Sequence, residues 1–266
     1  MQSLDVVSKI VTKKELMKQL RALGINDGMV LEVHSSMKNM GYVIGGAQTV
    51  VDALMEAVGY DGTLVMPIQA AENSEPSYWQ YPPVERSLWE EVRNSIPAFK
   101  GDASEYPGMG AVVDNFNRRP GVYRSSHPCC AFAAYGRYGK LITHKHDLDY
   151  SLGMNSPLGE LYKLPGWILL MGVDYDRCTG MHLGEYLSEV RPVIMQGGAI
   201  EDNGIRKWTQ YLDLQLDSDE FIEIGHAMEA AGLITLGKVG NATCRLFRFK
   251  EAVDFTADYL KKRHSI

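Results

Sequence analysis

The sequence of 266 residues lacks the long apolar segments that would place it in a membrane. It has no run of about 18 apolar residues, and residues 1–16 carry acidic and basic side chains where a signal peptide needs an apolar stretch. Low-complexity segments, internal repeats and Gly/Ser-rich linkers are also missing. We therefore predict a cytoplasmic protein with no membrane partner, folded as a single domain over residues 1–266.

Basic charge is also in short supply. The chain has 27 Lys and Arg residues against 33 Asp and Glu residues, which gives a formal net charge of −6, and its longest basic run is the segment 261–263. Such a surface repels a phosphate backbone unless a local basic patch overrides it. The charge balance argues against a nucleic-acid partner and favours a cationic small molecule.

Cysteine is scarce, and its spacing suits neither a redox motif nor a zinc motif. The four cysteines are Cys129, Cys130, Cys178 and Cys244. No two of them have C-x-x-C spacing, so we expect reduced thiols. The alternating His and Asp residues of segment 144–149 have no partner motif that would complete a metal site, so we interpret them as a solvated loop and expect no metal. The nucleophile elbow, the H-E-x-x-H pattern and the P-loop are absent as well.

Helix and strand patterns alternate along the chain. A capping box that begins at Thr12 precedes apolar residues at helical spacing, which end at Gly24. Residues 29–34 are a predicted strand, residues 50–58 lie in a predicted helix and residues 63–67 are a second strand, so together they make a β-α-β unit. Later segments continue the alternation and include a hairpin turn at 202–204. The sequence predicts an α/β fold with a mixed central sheet flanked by helices, in an undetermined strand order.

The segment from residue 68 to residue 85 breaks this alternation, because three prolines interrupt it. A loop of this length in a compact domain is usually functional or disordered, and its aromatic residues argue against disorder. Its acidic and aromatic side chains could contact a cationic ligand, or they could simply keep the surface soluble. These side chains are Glu72, Glu75, Tyr78 and Trp79.

Segment 179–186 carries the most informative polar pattern. It follows an apolar core strand, and open α/β folds place their sites beyond the ends of such strands. If a helix begins near Gly180, His182 and Glu185 lie on one face of it, with Thr179 at or beside the N-cap. An imidazole beside a carboxylate is suited to general-base catalysis, and the hydroxyl could donate to an oxyanion. The alternative is a capped helix with a surface His–Glu pair.

Glycines and hydroxyls after the first predicted strand could bind a phosphate. His34, Ser35 and Ser36 follow that strand, and Gly45 and Gly46 precede the next helix. Glycines let the backbone approach an anion closely, and free amides at a helix N-terminus can bind it. The same residues are also common in ordinary turns.

Segment 124–128 belongs to the densest basic cluster of this acidic chain, together with Arg118 and Arg119. It combines a guanidinium, two hydroxyls and an imidazole, and its candidate binding residues are Arg124, Ser125 and His127. This cluster could bind an anionic cofactor, or it could neutralise nearby carboxylates.

In combination, these stretches resemble the aminoglycoside 3-N-acetyltransferases, also called antibiotic N-acetyltransferases. The stretches keep the order of that family from about residue 12 to the end of the chain. They are Val33–Ser36, Gly45–Gly46, Val65–Pro67, the region 96–110, Arg124–Pro128, Ser156–Gly159, Leu169–Gly172, Thr179 with His182, Glu185 and Tyr186, Gly237–Gly240 and Cys244–Phe247.

The resemblance implies that acetyl-CoA donates its acetyl group to the 3-amino group of a 2-deoxystreptamine antibiotic, by direct attack in a ternary complex, which confers resistance. It also implies an α/β fold distinct from that of the GNAT acetyltransferases. By this resemblance His182 is the general base, Glu185 orients it or holds the substrate ammonium, and Thr179 faces the thioester carbonyl. The residues implied on the acetyl-CoA side are His34, Ser35, Ser36, Gly45, Gly46, Gly108, Met109, Gly110, Arg124, Ser125 and His127. Those expected on the antibiotic side are Glu72, Glu75, Tyr78, Trp79 and Glu185.

One position departs from the family pattern. Ala131 stands where the family often has Ser, four residues past His127, so a hydroxyl contact to cofactor or structure is missing. Two alternatives stay open: a CoA-binding or small-cation-binding protein of the same fold, and an acetyltransferase for a different amine. A third is a hydrolase with Ser35 or Ser36 as nucleophile and His182 as base. We expect a monomer or a homodimer.

Overall fold

A seven-stranded mixed sheet forms the centre of the computed structural model, which describes residues 7–100 and 108–264. The strands of the described residues are β1 (Ile10–Val11), β2 (Val30–Ser35), β3 (Tyr42–Val43), β4 (Thr63–Pro67), β5 (Tyr123–Arg124), β6 (Phe132–Gly136), β7 (Gly166–Met171), β8 (Val193–Asp202), β9 (Ile205–Leu214), β10 (Thr235–Val239) and β11 (Ala242–Arg248). The central sheet has the order β10-β11-β7-β2-β4-β6-β5, and β1-β3 and β8-β9 form two separate pairs. The interpretation as one domain over residues 1–266 stays a prediction, supported by strands from residues 30 to 248 that share one sheet.

Helices cover both faces of this sheet. They are α1 (Lys13–Leu23), α2 (Met37–Met40), α3 (Gly46–Val58), α4 (Trp89–Ser95), α5 (Ala111–Asn117), α6 (Gly139–Thr143), α7 (Pro157–Lys163), α8 (His182–Ser188), α9 (Phe221–Ala230) and α10 (Phe249–His264). One core cluster contains the buried residues of α1, α3 and α5, and the other contains those of α6 to α10. The result is a three-layer arrangement with the sheet in the middle, so the predicted mixed sheet flanked by helices is confirmed.

The first helix shows how local sequence sets the boundaries. The side chain of Thr12 accepts a hydrogen bond from the amide of Glu15, and the Glu15 carboxylate accepts one from the amide of Thr12 at 2.9 Å. Leu16 and Leu20 are buried on the face that packs against the sheet. Gly24 ends the helix with a φ of 109°, a conformation that favours glycine. The predicted capping box and helix are confirmed.

Three parallel strands bring the candidate site residues to one edge. β2 pairs in parallel with both β4 and β7, so the carboxyl ends of all three strands meet at the same edge of the sheet. β6 and β11 run antiparallel to β4 and β7, which brings their amino ends to that edge. The segments that follow β2, β4 and β7 therefore gather at the carboxyl edge, where open α/β folds bind ligands.

The hairpin of β8 and β9 lies outside the main sheet and turns at the predicted position. Asn73, from the loop after β4, ties the hairpin down with its side-chain amide. This amide accepts a hydrogen bond from the amide of Ala199 at 2.7 Å and donates one to the carbonyl of Ala199 at 3.0 Å. The first part of the loop at residues 68–85 is therefore held against the hairpin.

Several short elements escaped the sequence analysis. β1, β3 and β5 have two residues each, too few for an alternating pattern to show. α7 has seven residues, and the side chain of Ser156 caps it by accepting from the amide of Leu158 at 3.2 Å. Among the described residues, none of the helices combines the length and the apolar character needed to cross a membrane.

Candidate active site

The centre of the candidate site is the first turn of α8, which follows β7 at the carboxyl edge. A 3-10 turn at Thr179–Met181 leads directly into α8, which begins at His182. His182 and Glu185 lie three positions apart on one helix face, and Nδ1 of His182 is 2.5 Å from Oε2 of Glu185. The predicted pairing is present, although α8 begins two residues later than the pattern around Gly180 predicted.

Glu185 is fully buried, and its second oxygen is also occupied. Oε1 accepts hydrogen bonds from Nε of Arg191 at 2.6 Å and from the amide of Asp217 at 2.9 Å. Arg191 in turn forms an ion pair with Glu220. Burial works against the charge of Arg191, but the two carboxylates outweigh it and raise its pKa above the ordinary value. Glu185 is therefore an anchored carboxylate with three hydrogen-bond donors.

This arrangement selects one tautomer of His182. An ionised carboxylate accepts hydrogen bonds only, so the proton of a neutral imidazole lies on Nδ1, next to Glu185. Nε2 then carries the lone pair and can take a proton from another molecule. The side chain of His182 is 16% exposed, so the ring is sheltered and still reachable.

Thr179 lies in the turn that leads into α8. It is the first residue of the 3-10 turn and is 7% exposed. The sequence placed it at or beside the N-cap of a helix that begins near Gly180. Thr179 directly follows Cys178, the N-cap of the 3-10 turn, and lies two residues before Met181, the N-cap of α8. The 3-10 turn lies between Thr179 and the rest of the helix, so Thr179 precedes the first residue of α8 by three positions.

His34, Ser35 and Ser36 lie at the carboxyl end of β2, directly beside the end of β7. His34 pairs with Leu170 across the parallel ladder, and the amide of Ser36 donates to the carbonyl of Met171 at 3.0 Å. The sequence grouped these residues with the acetyl-CoA side, and the fold brings them to the same edge as His182.

Gly45 and Gly46 form the start of α3, which has 13 residues. Both have a positive φ, of 80° and 60°, which other residues adopt only with strain. A Cβ atom added at Gly46 would meet nothing within 4 Å, so its backbone is open to a ligand. The same is true of Gly108 and Gly110, which flank Met109 before α5. The adjacent residues 101–107, part of the region that carried the resemblance, lie outside the described residues.

The basic segment 124–128 is engaged within the protein. Nε of Arg124 donates to the side chain of Asn117 at 2.7 Å, and the guanidinium also reaches the carbonyls of Asn117 and Val122. The hydroxyl of Ser125 accepts from the amide of Phe132 at 2.9 Å. The expected neutralisation of a carboxylate is found at Arg119, which pairs with Asp52 at 2.8 Å. Arg124 and Ser125 instead bond amide and backbone groups. These internal bonds argue for a structural role of Arg124 and Ser125.

His127 is also internal. Its Nδ1 accepts from the amides of Cys129 and Cys130 at 3.2 Å and 3.0 Å, so Nε2 donates to the carbonyl of Leu148 at 3.2 Å. Burial, followed by the neighbouring His146, lowers the pKa of His127 to about 3. The ring is neutral at physiological pH and does not attract an anion.

His146 is the exception to the interpretation of segment 144–149 as a solvated loop, in which His144, Lys145 and Asp149 are exposed. Its ring contacts the hydroxyl of Ser125 at 2.9 Å through Nδ1 and the carbonyl of Ser151 at 2.6 Å through Nε2. Burial lowers its pKa to about 4. Among the described residues, no group of three or more His, Cys, Asp or Glu side chains has the geometry to hold a metal ion.

Four of the five residues predicted on the antibiotic side lie in the loop after β4, and they behave differently from one another. Glu75 is buried, and Arg93 holds its carboxylate through contacts of 3.0 Å and 2.5 Å. Burial alone would raise the pKa of Glu75, but the bonds to Arg93 and then Ser77 hold it below the ordinary value. Nε1 of Trp79 donates to the hydroxyl of Ser74 at 2.9 Å. The other two residues, Glu72 and Tyr78, are exposed on the loop.

Sequence reasoning missed a buried polar group beside α8. Asp213, on β9, accepts from the hydroxyl of Ser151 at 2.6 Å and from the hydroxyl of Tyr186. Burial raises the pKa of Asp213 and also that of Tyr186. The sequence of β9 contains one sign of this buried group. Tyr211 and Asp213 are two positions apart, so they lie on the same face of the strand, which is buried.

Ala131, the departure from the family pattern, is fully buried and belongs to the core cluster beneath α1, α3 and α5. Its carbonyl accepts from the amide of Ile68 at 2.8 Å. A serine hydroxyl at this position would enter an apolar environment, so the alanine suits the packing.

Comparison with known proteins adds independent findings. The sequence matches the family described as Aminoglycoside 3-N-acetyltransferase over residues 33–261. It is 42% identical over 245 residues to the SPbeta prophage-derived aminoglycoside N(3')-acetyltransferase-like protein YokD of Bacillus subtilis (strain 168), covering 92% of this chain and 90% of that protein. The crystal structure of YokD has a TM-score of 0.94, with 97% of this chain and 96% of that chain covered.

Two solved structures with ligands also match. AAC-VIa bound to sisomicin has a TM-score of 0.85 and 28% identity, covering 97% of this chain and 100% of that chain. The binary structure of AAC-IIIb with CoASH has a TM-score of 0.85 and 25% identity, covering 96% of this chain and 98% of that chain.

Proposed function

This chain belongs to the aminoglycoside 3-N-acetyltransferase family, and we propose that it transfers the acetyl group of acetyl-CoA to the 3-amino group of an aminoglycoside. The observation that carries the proposal is the contact of 2.5 Å between Nδ1 of His182 and Oε2 of Glu185 at the carboxyl edge of the sheet. The ligands in the structures of AAC-VIa and AAC-IIIb support the two substrate classes. Acetylation removes a cationic amine from the antibiotic and so confers resistance. The enzyme would act in the cytoplasm, where acetyl-CoA is available.

His182 acts as the general base. An amine acceptor arrives protonated and attacks a thioester only after it has lost a proton. Nε2 of His182 takes that proton, and the buried carboxylate of Glu185 stabilises the imidazolium that forms. General-base assistance of this kind contributes about 10²- to 10⁴-fold in rate. Both oxygens of Glu185 are occupied by protein donors, which favours an orienting role over a contact with the substrate ammonium.

Thr179 is the proposed donor to the oxyanion. The amine nitrogen forms a bond to the thioester carbonyl carbon, and the carbonyl oxygen gains the negative charge. The C–S bond then breaks, and the departing CoA thiolate takes up the second proton of that nitrogen, so the products are a neutral amide and the CoA thiol. Because a thiolate is a good leaving group, one hydroxyl donor can suffice. The sheltered position of Thr179, one 3-10 turn before His182, supports this role.

The acetyl-CoA side comprises the end of β2 and the start of α3. Ser35 and Ser36 provide hydroxyls there, and Gly45 and Gly46 let the backbone come close to a phosphate. The open space beside Gly46 and the length of α3 fit this role. The internal bonds of Arg124, Ser125 and His127 instead support a structural role for these three residues.

The acceptor side needs negative and aromatic groups for a polycationic sugar. Glu72 and Tyr78 are exposed on the loop after β4 and keep this proposed role. Glu75 is neutralised by Arg93, and Trp79 hydrogen-bonds within the loop, so both are proposed to shape the loop instead.

The test measures thiol release from acetyl-CoA with a panel of aminoglycosides, and NMR of the product identifies the acetylated amine. We expect turnover by the wild type, and a His182→Ala variant whose kcat is lower by at least about 10²-fold while CoA binding, measured by calorimetry, persists. The matched control is His264→Ala, which removes an exposed histidine at the end of α10 and leaves kcat unchanged.

Other outcomes point to the alternatives. Full turnover by His182→Ala would overturn the assigned base. A wild type that binds CoA but releases no thiol with any amine would favour a binding protein. A covalent acetyl-enzyme on Ser35 or Ser36, seen by mass spectrometry, would replace direct attack with nucleophilic catalysis.

A further inference from the structure

A second His–Glu pair lies beneath the candidate site, and the proposed reaction does not use it. Glu32 and His34 are two positions apart on β2, so they share one face of the strand. Their partners across the parallel ladder are Ile168 and Leu170 of β7. These two partners belong to the core cluster that contains Met181, from the turn before α8. The pair therefore faces the layer that carries the candidate active site.

Glu32 is fully buried, and neither of its carboxylate oxygens takes part in a well-aligned hydrogen bond with the described residues. Its Oε1 lies 3.3 Å from Nε2 of His34, which is likewise without another partner among them. A buried carboxylate that lacks donors destabilises a fold. The pair therefore contributes nothing to stability that an apolar residue could not, and this points to a functional role.

Gly180 makes room for the carboxylate. A Cβ atom at Gly180 would lie 2.4 Å from Oε2 of Glu32, a distance that no side chain tolerates. Gly180 is the middle residue of the 3-10 turn that contains Thr179 and precedes His182. The carboxylate thus lies directly against this turn, and His34 lies two residues further along β2, toward the carboxyl edge.

The position of the shared proton decides which ring nitrogen of His34 is free. A neutral Glu32 would donate to Nε2 and leave the ring proton on Nδ1. With Glu32 ionised, as the inference requires, the proton between the two groups lies on Nε2 of His34. The other ring nitrogen, Nδ1, is then an acceptor. The lone pair on Nδ1 can accept a hydrogen bond from an amide N–H. It cannot bond the phosphates of acetyl-CoA, because these are acceptors themselves. The pantetheine arm of acetyl-CoA carries such amide groups.

We propose that Glu32 is a positioning residue, which holds His34 so that Nδ1 accepts a hydrogen bond from an amide of the pantetheine arm. This inference rests on the proposed function, because it concerns the co-substrate of that reaction. In this arrangement His34 contacts the pantetheine arm of acetyl-CoA and not its phosphates, and Glu32 holds His34 in place.

The first test is Glu32→Leu, which removes the acceptor at similar volume. The KM for acetyl-CoA rises about fivefold, the effect of one lost hydrogen bond, while kcat and the KM for the aminoglycoside stay unchanged. The thermal midpoint rises, because the variant removes a buried carboxylate whose one donor among the described residues, Nε2 of His34, is poorly aligned with it. Glu32→Gln keeps an acceptor oxygen and recovers most of the affinity. A purely structural role would instead lower the midpoint and disturb both KM values.

Thr256→Val is the matched control. Thr256 is fully buried on α10, and its hydroxyl also lacks a partner among the described residues. Its removal raises the midpoint in the same way and leaves the KM for acetyl-CoA unchanged. The comparison separates the gain in stability from the loss of co-substrate affinity.

Two further measurements decide the contact. With S-acetylpantetheine, Glu32→Leu loses the same factor in kcat/KM as with acetyl-CoA; a loss confined to acetyl-CoA would mean a phosphate contact and overturn the proposal. ¹⁵N NMR of the free enzyme shows the Nε2-protonated tautomer of His34 in the wild type and a mixture in Glu32→Leu. A wild type that binds no CoA in calorimetry removes the proposed function as well, whereas equal CoA binding by wild type and Glu32→Leu removes this inference alone.

Discussion

Replacing Glu185 with glutamine tests whether its carboxylate sets the tautomer of His182. The amide oxygen of Gln can still accept from Arg191 and from the amide of Asp217, which bond Oε1 in the wild type. The NH₂ group then faces Nδ1 of His182 and donates to it, so the ring proton moves to Nε2. A ring protonated on Nε2 cannot accept the proton of the attacking amine. We expect kcat to fall by about 10²- to 10⁴-fold.

The cost in stability follows from the same contacts. Glu185→Gln removes the charge that faces the guanidinium of Arg191, but Arg191 keeps its ion pair with Glu220. The loss is therefore smaller than for an orphaned buried charge, about 2 kcal/mol. In a chain of this size that lowers the thermal midpoint by roughly 4–8 °C, so the variant is folded at the assay temperature.

Glu220→Gln is the matched control, because it weakens the other ion pair of Arg191 without touching His182. It lowers the thermal midpoint and leaves kcat within about threefold of the wild type. The assay is thiol release at saturating substrates, with circular dichroism to confirm folding. If Glu185→Gln kept kcat within threefold of the wild type, or if Glu220→Gln lost as much as Glu185→Gln, the tautomer argument would be refuted.

Two further predictions concern stability. His127 and His146 are neutral in the fold, with pKa values lowered to about 3 and about 4, mainly by burial, so the unfolded chain binds more protons once the pH falls below 6.5. The thermal midpoint therefore falls as the pH drops from about 6.5 toward 4, and His146→Gln flattens that slope; a midpoint independent of pH in this window would contradict the burial argument. Gly225→Ala places a Cβ atom 2.1 Å from the ring of Tyr175, which is fully buried, so we expect a loss of about 3 kcal/mol in urea unfolding. A loss below about 1 kcal/mol would mean that the Tyr175 ring can move aside.

The sequence predicted the elements of the fold better than their arrangement. Thr12 and Gly24 bound the first helix by local hydrogen bonding and local φ, so their signals are readable over a few residues. The order of the sheet depends on which strands meet across long connections, such as β2 with β7, more than 130 residues apart, and no local pattern encodes that choice. The β-α-β unit was therefore predictable, and the position of β7 beside β2 was not.

The same division applies to the candidate site. The i, i+3 spacing of His182 and Glu185 predicts their contact, because both lie in one helix. Arg191 and Asp217 reach Glu185 only because the chain returns past α8, and the sequence gives no sign of it. For Arg124 the sequence shows the positive charge, but it does not show that Asn117 accepts a hydrogen bond from the guanidinium. A sequence shows the chemical groups, and the fold decides which of them remain available.

The two buried carboxylates that lie next to histidines differ in the number of hydrogen-bond donors around them. Glu185 and Glu32 are both fully buried, and each lies close to an imidazole nitrogen, at 2.5 Å and 3.3 Å. Glu185 has Arg191 and a backbone amide as additional donors, so the fold is stabilised by its charge, and its replacement weakens both stability and catalysis. Within the part of the chain that the structure describes, Glu32 has no donor besides His34, so its replacement by leucine strengthens the fold while it weakens co-substrate binding. We therefore expect the thermal midpoint to fall in Glu185→Gln and to rise in Glu32→Leu. Measuring both variants side by side tests whether Glu185 has more hydrogen-bond donors than Glu32. A decrease in both variants would mean that Glu32 has donors besides His34 in solution, and its assignment as a positioning residue would then lose its physical basis.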